Sequence, residues 1–278
     1  MKIMLAQDYF LSDIHAFSLF SSRDQEMADI HGHDFHEIVI VKEGCGFHVI
    51  NDRVNLVFKG DFFFVSANDI HYYESTRHLS LINILLRRDG EFQFVKSLLP
   101  LLMQLQTQTR ERPSSLNETA LARVVQLAAE IHSKTDDNYD STYFVTTEAI
   151  LLTIVGMLME SSVRLPRGSR YDDKKRRLLH SIRDNLQQGV IWEHLAEECA
   201  IPKRTLYRFI KEFTGFTPDQ FVQRYRLLKA QELLRTTERS VASIARACGF
   251  SSLPRLTEAY SRCFQHSPSA EREKRTVE

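Results

Sequence analysis

The sequence is poor in cysteine, and the four it has are isolated. Cys45, Cys199, Cys248 and Cys263 stand far apart among 278 residues, and no two of them form a CxxC pair. A disulfide-stapled secreted domain or a zinc ribbon needs closely and regularly spaced cysteines, so both classes are excluded. We expect four reduced thiols in packed cores.

We expect no leader peptide, and the sequence has no long hydrophobic run. The opening MKIMLAQDYF has no basic region followed by a continuous apolar segment, and the longest apolar run is AILLTIVGMLM at 149–159. A run of that length is too short to span a bilayer. We therefore predict a soluble, cytoplasmic protein without a membrane partner.

Net charge is absent overall but not locally. Lys and Arg total 36, as do Asp and Glu. From residue 170 onward there are 21 basic and 14 acidic residues, a balance of +7, which leaves −7 for residues 1–169. This asymmetry favours contact of the second half alone with a polyanion, although a solvated helical face can show it too.

The hydrophobic pattern divides the chain in two. Short apolar runs separated by Gly, Asn and Asp, typical of a small β-barrel or sandwich, fill residues 31–86. Helical spacing follows, and the charged stretch around Pro166 and Gly168 has no apolar period. We predict a first domain at 1–165, a linker at 166–175 and a second, all-helical domain at 176–278.

An internal repeat lies in the basic half. WEHLAEECAIPKRTLYRFIKEFTGFTP and VASIARACGFSSLPRLTEAYSRCFQHSP align at an offset of 49 that becomes 50 after the turn. Each copy has a small residue, Ala196 or Ala245, one turn before a bend at Ala200 or Gly249. A helix-turn-helix needs this arrangement because the alanine lets two helices cross closely and the bend tolerates little side chain. A helical bundle with a solvated basic face is the alternative, which the duplication makes less favourable.

The second helix of the first copy would present its outer face to DNA. Arg204 and Arg208 lie four residues apart on one side, and arginine matches the two acceptors of guanine. Lys203, Thr205 and Tyr207 share that face. The intervening segment PDQFVQRYRLLKAQELLRTT is an amphipathic helix that could hold both readers at successive turns of one DNA face, about 34 Å apart.

These residues resemble the AraC/XylS transcription regulators. The likeness covers about residues 176–272, and LLKAQELLRTTERSVASIARACGF and the repeated F(T/Q)xx(T/S)P are its most specific marks. The resemblance implies an α+β fold: an N-terminal cupin-like β-barrel with a helical dimerisation segment, then two helix-turn-helix motifs joined by a linker helix. HDFHEIVIVKEGCGFHVIND and GDFFFVSANDIHYYES are similar to ligand-domain strands of the family's L-rhamnose-responsive activators.

The same resemblance assigns Arg204 and Arg208 to base contacts. It places Ser252 and Pro254, with Arg255 beside them, at corresponding positions of the second motif. Here the sequence reads SSLPRL where the family usually has a segment of the SDSNHF type. Since proline fits only the first turn of a helix, we expect the second reader to depend more on backbone contacts.

HGHDFHEIVIV at 31–41 concentrates histidines and carboxylates before an apolar strand. If residues 33–41 form one strand, alternation puts His33 and Glu37 on the same face. With His71, Tyr73 and Asn83 they offer the donors and acceptors that a neutral sugar requires. We expect these five side chains to line a sugar pocket, and His31 and Asp34 to be solvated.

A metal site and purely structural histidines are alternatives for the same stretch. Metal-binding cupins use an HxH pair, a carboxylate and a later histidine, but FKGDFF lacks the usual Pro-x-Gly turn and His71 comes eleven residues after Gly60. We therefore expect neither a metal nor a cofactor.

The sequence predicts a transcription activator, not an enzyme. Its expected partners are promoter DNA, RNA polymerase, a small sugar such as L-rhamnose, and a second copy of the chain through the apolar stripe at 143–159. Two alternatives stay open: a metal-dependent cupin enzyme with an appended DNA-binding domain, and a ligand-blind dimeric regulator.

Overall fold

The computed structural model describes residues 2–22, 29–110, 112–133, 139–163, 172–186 and 189–275. The chain forms two compact units, one of Met1–His48 and Asn55–Gly168 and the other of Val49–Val54 and Ser169–Glu278. Residues 166–171 of the expected linker lie outside the described residues. Its last four residues, 172–175, form the first turn of a helix.

The first unit is built on one mixed sheet. Eight strands run in the order β1-β3-β7-β4-β6-β8, with β2 also paired to β7 and β5 to β4. Among the described residues this sheet is not closed, so a sheet domain is established while the expected barrel is not. The strands are β1 Lys2–Met4, β2 Phe17–Ser22, β3 His31–His33, β4 His36–Ile50, β5 Arg53–Phe58, β6 Asp61–Val65, β7 Ile70–Leu86 and β8 Ser114–Ser115, with a 3-10 turn at Ala6–Asp8.

Two strands are much longer than the sequence suggests. The short runs expected in residues 31–86 would end at glycines such as those of KEGCG, but the 15-residue strand β4 continues through that stretch. Gly44 has φ +77°, and a Cβ there would lie 2.2 Å from the carbonyl oxygen of His78 on β7. The glycine therefore permits close approach of two strands instead of a turn. NDR and KGD do form turns, with positive φ at Asn51, Asp52 and Gly60.

Three helices cover one face of the sheet. They are α1 Leu99–Thr109, α2 Glu118–His132 and α3 Ser141–Val163. Ile38, Phe62 and Ile84 of the sheet pack with Leu105 of α1 and Val155 of α3 in a continuous core. By length and composition Ser141–Ser161 could cross a membrane, which the 11-residue apolar run alone did not show. Leu151, Ile154, Val155 and Leu158 of that helix are buried in the core, and 33% of the membrane-length window is buried in all.

A buried carboxylate explains where α1 begins. Helical spacing was expected to follow the strands after residue 86, but the backbone N–H groups of Gln93, Phe94 and Val95 donate to the Glu148 carboxylate at 2.6–2.9 Å. Glu148 is only 3% exposed. Because a buried carboxylate must be hydrogen-bonded, it holds this segment in a non-helical conformation, and the helix starts at Leu99.

The second unit contains seven helices in its described residues. They are α4 Asp172–Leu186, α5 Trp192–Glu198, α6 Lys203–Thr214, α7 Pro218–Thr236, α8 Val241–Ala247, α9 Leu253–Phe264 and α10 Pro268–Arg275. Helix α7 opens with a capping box between Thr217 and Gln220 and contacts α6, α8, α9 and α10. The expected linker helix is thus the common support of both repeats.

Both repeats fold as helix-turn-helix motifs with matching turns. Ala200 and Gly249 have φ +50° and +76°, and their N–H groups donate to carbonyls three residues back at 3.0 Å. Ala196 and Ala245 are buried, and each carbonyl accepts from the residue five positions on, at 3.0 and 2.9 Å. The predicted roles of the small residue and the bend are confirmed.

The left-handed turn gives a paired stability prediction. Alanine at positive φ costs about 1–2 kcal/mol, partly offset by the entropy that glycine loses on folding. We expect Ala200→Gly to stabilise the second unit by about 0.5–1 kcal/mol, and Gly249→Ala to destabilise it by about 1 kcal/mol. Urea unfolding followed by circular dichroism would measure both, and equal signs for the two variants would contradict this account of the turns.

Candidate nucleic-acid interface and effector pocket

Helix α6 turns one face into the core and the other to solvent. Leu206 and Ile210 are 0–1% exposed. The predicted DNA residues Lys203, Arg204, Thr205 and Arg208 are exposed, and Tyr207 is half-buried. The five are brought together on one outward ridge, as the repeat predicted.

Two cations on this ridge have local acidic partners. Lys203 pairs with Glu193 of α5 and lies 5.3 Å from the Tyr207 ring centre. Arg208 Nε is 3.9 Å from Glu212 Oε1, with both side chains more than 70% exposed. Among the described residues Arg204 makes no hydrogen bond or ion pair. Its guanidinium can therefore meet a base without first breaking a contact.

The second reader differs from the first. Ser252 is the N-cap of α9, its Oγ accepting from the Arg255 N–H at 3.4 Å, and Pro254 lies in the first turn as expected. Ser252, Pro254 and Arg255 are all exposed.

The starts of α6 and α9 are 50 residues apart, which revises the expected correspondence. Arg204 is matched by Pro254, and Arg208 by Glu258. Glu258 accepts from Arg262 at 2.8 Å. Sequence reasoning missed Glu258 and Arg262, although carrying the offset of 50 through the helix would have found them.

A buried polar cluster joins α10 to α9 and α7. The Glu271 carboxylate accepts from Tyr260 Oη at 2.9 Å and from Arg235 Nε at 2.6 Å, and His266 Nε2 lies 3.0 Å away. Burial raises the pKa of Glu271, but Arg235 and Tyr260 lower it further, so its pKa is below the ordinary value. The ionised carboxylate thus holds the recognition helix from its inner side.

Four of the five predicted pocket residues meet inside the sheet domain. The Nε2 atoms of His33 and His71 lie 3.6 and 3.8 Å from Glu37 Oε2, and all three residues are at most 5% exposed. The Tyr73 ring centre is 6.1 Å from that of His71. Asn83 is on β7 opposite Phe20, and no described contact joins it to the other four.

The stretch at 33–41 is two strands and not the single strand expected. His33 ends β3 and His36 begins β4. His33 Nδ1 contacts the Phe35 carbonyl at 2.6 Å, and the His33 ring stacks on the Phe35 ring at 4.6 Å. This local closure bends the chain at 34–35, yet His33 and Glu37 still face each other.

Two further histidines belong to the cluster. His48 Nε2 is 3.0 Å from His71 Nδ1, and the His31 ring centre is 4.3 Å from that of His71. The expectation that His31 is solvated was wrong, since it is 4% exposed: strand β3 pairs it directly with His71 across the sheet. Asp34 is exposed, as expected. His48 was missed, although its place in the apolar run GFHVI was a signal.

Burial dominates the protonation of this cluster. It lowers the pKa of His48 to about 3, with His31 contributing, and lowers the pKa of His71 well below its ordinary value. Burial also raises the pKa of Tyr73, to which the charge of Glu37 adds. For His33 burial lowers the pKa, but Glu37 and the Phe35 carbonyl together raise it by more. Burial therefore favours neutral His48 and His71 near the carboxylate, whereas His33 holds its proton more readily than a free imidazole does.

Both halves of the chain match known families. Residues 16–137 match the AraC-like ligand binding domain, and residues 195–274 match a helix-turn-helix domain. The chain is 34% identical over 268 residues to the HTH-type transcriptional activator RhaS of Citrobacter koseri, covering 96% of each chain. It is 32% identical to RhaS of Klebsiella pneumoniae at the same coverage. The chain belongs to the AraC family. It is therefore a DNA-binding transcription regulator and not an enzyme, which excludes the metal-dependent cupin enzyme.

Two solved structures with sequence similarity to this chain cover only part of it. A transcriptional regulator from Chromobacterium violaceum with an AraC-type DNA-binding domain is 29% identical, covering 37% of this chain and 93% of that chain, with a TM-score of 0.35. The DNA-binding domain of AdpA in complex with a target DNA is 30% identical, covering 37% and 92%, with a TM-score of 0.34. The family assignment rests on the sequence relatives.

The Glu271 cluster predicts an acid-sensitive second unit. Because the folded-state pKa of Glu271 lies below its ordinary value of 4.5, its stabilisation is complete above about pH 4.5 and is lost as the pH falls through the folded-state pKa. We expect Glu271→Gln to cost about 1–3 kcal/mol at pH 7, and less as the medium is acidified. Urea unfolding across pH would show this, with the exposed Glu273→Gln as control. A deficit that is constant with pH would argue against the ionised carboxylate.

Proposed function

We propose that this AraC-family regulator activates a sugar-catabolic operon when a small sugar occupies the pocket of its sheet domain. The single observation that carries the DNA-binding part is the exposed ridge of α6, with Arg204 and Arg208 outward and Leu206 and Ile210 in the core. The identity to RhaS makes L-rhamnose the first sugar to test.

The first helix-turn-helix reads bases and the second chiefly positions the protein. Arg204 and Arg208 offer planar forks to guanine, and Lys203, Thr205 and Tyr207 add contacts to the same groove. In α9 the matching positions are Pro254 and Glu258, and neither side chain can donate two hydrogen bonds to guanine as arginine does. Ser252 and Arg255 at the start of α9 reach phosphates, and that binding is strongly salt-dependent.

The effector pocket comprises His33, Glu37, His71 and Tyr73. The fifth predicted residue, Asn83, stays a prediction, because no described contact joins it to the other four. Within the part of the chain that the structure describes, the Nε2 atoms of His33 and His71 and the Oη atom of Tyr73 are buried without a hydrogen-bond partner. Buried polar groups are stable only when they are satisfied, and sugar hydroxyls both donate and accept. Binding would shift a pre-existing equilibrium between inactive and active states.

The regulator acts as a cytoplasmic homodimer that contacts RNA polymerase. Support for the dimer comes from α3, where Val145 and Leu152 are exposed, and from α1, where Leu99 and Met103 are exposed. A helical dimerisation segment beside a barrel is the arrangement that the family resemblance implied.

Arg204 gives the sharpest test of the DNA interface. On the best site selected from a random duplex pool, Arg204→Ala should weaken binding about 5- to 160-fold, equivalent to about 1–3 kcal/mol, and should flatten discrimination at one base pair. Fluorescence anisotropy against the selected site and random DNA would measure both effects.

The exposed Arg123→Ala in the sheet domain removes the same charge and serves as the control for Arg204→Ala. Its affinity should match that of the parent chain. Equal losses on selected and random DNA for Arg204→Ala would show a phosphate contact instead of base readout.

A sugar panel tests the effector pocket. We expect one of the pentoses, deoxyhexoses and hexoses to raise the unfolding temperature by several degrees at about 100 times its Kd, where binding contributes about 2.7 kcal/mol. Glu37→Gln should abolish the rise and the exposed His194→Gln should preserve it. Unchanged stability and promoter occupancy with every sugar would support the ligand-blind dimeric regulator.

A further inference from the structure

We propose that His33, Glu37 and His71 bind a divalent transition-metal ion of the zinc type within the effector pocket. No metal was expected here from the sequence, because FKGDFF lacks the Pro-x-Gly turn of metal-binding cupins. The structure brings His71 to the carboxylate nevertheless, through the pairing of His31 with His71 between β3 and β7. This inference rests on the proposed function in one respect only: the metal site uses residues of the proposed effector pocket.

The tautomer of His33 leaves a lone pair aimed at a carboxylate. His33 Nδ1 is 2.6 Å from the Phe35 carbonyl, and a carbonyl only accepts, so Nδ1 carries the proton. In the neutral ring Nε2 is then an acceptor, and it faces Glu37 Oε2 at 3.6 Å. Two acceptors in contact repel each other unless a cation lies between them.

His71 has the same arrangement from the opposite side. Its Nδ1 is 3.0 Å from His48 Nε2. In the tautomer in which His71 donates this hydrogen bond, the lone pair of its Nε2 lies toward Glu37 Oε2 at 3.8 Å. Neither Nε2 atom has a hydrogen-bond partner among the described residues. Ligating histidines almost always donate their other ring nitrogen to such an outer partner. The Phe35 carbonyl and His48 therefore act as orienting groups.

The spacing suits a small coordination sphere. One ligand atom from each of His33, Glu37 and His71 lies within 4.8 Å of the others. Zinc–ligand bonds of about 2.0–2.2 Å place tetrahedral ligands about 3.4 Å apart. The observed separations of 3.6 and 3.8 Å from Glu37 need to shorten by only a few tenths of an ångström.

The donor set selects the class of ion. Two imidazole nitrogens and one carboxylate oxygen suit zinc, cobalt or nickel, whereas calcium and magnesium prefer oxygen ligands throughout. Three protein ligands leave at least one position open. A vicinal diol of a sugar could occupy it, which gives the proposed effector an anchor.

A protonated His33 is the alternative occupant of the gap, since an imidazolium would pair with Glu37 without any metal. The two occupants differ in what they require of His71. A proton on His33 satisfies the carboxylate with one histidine, whereas an ion needs both. The His71→Gln variant therefore separates them.

Isothermal titration of the chelator-treated full-length protein with Zn²⁺ or Co²⁺ tests the site. We expect one ion per chain, and Co²⁺ should show visible bands of nitrogen and oxygen ligation without thiolate charge transfer. His33→Gln, Glu37→Gln and His71→Gln should each weaken binding at least 100-fold, with His194→Gln unchanged. Circular dichroism would establish that each variant is folded, and His48→Asn, which changes only an orienting group, should weaken binding about 10- to 100-fold.

No stoichiometric binding by the folded parent chain, or equal binding by the parent and the three ligand variants, would overturn the metal site. The sugar panel run on metal-free and zinc-loaded protein keeps the two proposals apart. A sugar response without metal binding retains the effector and removes the ion. Metal binding without any sugar response retains the ion and removes the sugar effector.

Discussion

The DNA-binding unit depends on a steric constraint at two turns. A recognition helix can project its outer face only if the helix before it crosses closely, and that requires a buried Ala196 or Ala245 followed by a residue with positive φ. Glycine adopts that conformation freely and alanine does so at a cost. The first copy accepts the cost at Ala200. Packing against α7 is what holds the strained turn in place.

Local periodicity was sufficient for the helical half. Each predicted feature there concerns residues close in sequence: a small residue, a bend, and apolar anchors a turn apart. The equivalence of Arg208 with Glu258 follows from the same counting, because α6 and α9 start 50 residues apart. The buried partner of α9 was beyond such reasoning, since Glu271 meets Arg235 only after α10 folds back on α7.

The sheet domain was less predictable because its decisive contacts join distant residues. Gly44 in KEGCG has the composition of a turn, and only the close approach of β7 shows why it continues a strand. His31 looked solvated for the same reason. Alternation along one strand correctly placed His33 with Glu37, but it could not reveal that β7 and the far end of β4 bring His71 and His48 to them.

Family membership and pocket chemistry answer different questions about this regulator. The family fixes the task of the helical unit, where exposed arginines on a supported ridge suffice. It does not fix what enters the sheet domain, because a pocket selects its ligand by the groups left unsatisfied. Here a single buried carboxylate lies among imidazoles: burial lowers the pKa values of His48 and His71, and Glu37 raises that of His33. Little positive charge besides that of His33 therefore balances the carboxylate. A ligand that brings positive charge to Glu37, or orients the groups around it, would bind one state of the protein more tightly than the other. That difference in affinity sets how far the ligand can shift the equilibrium between the two states.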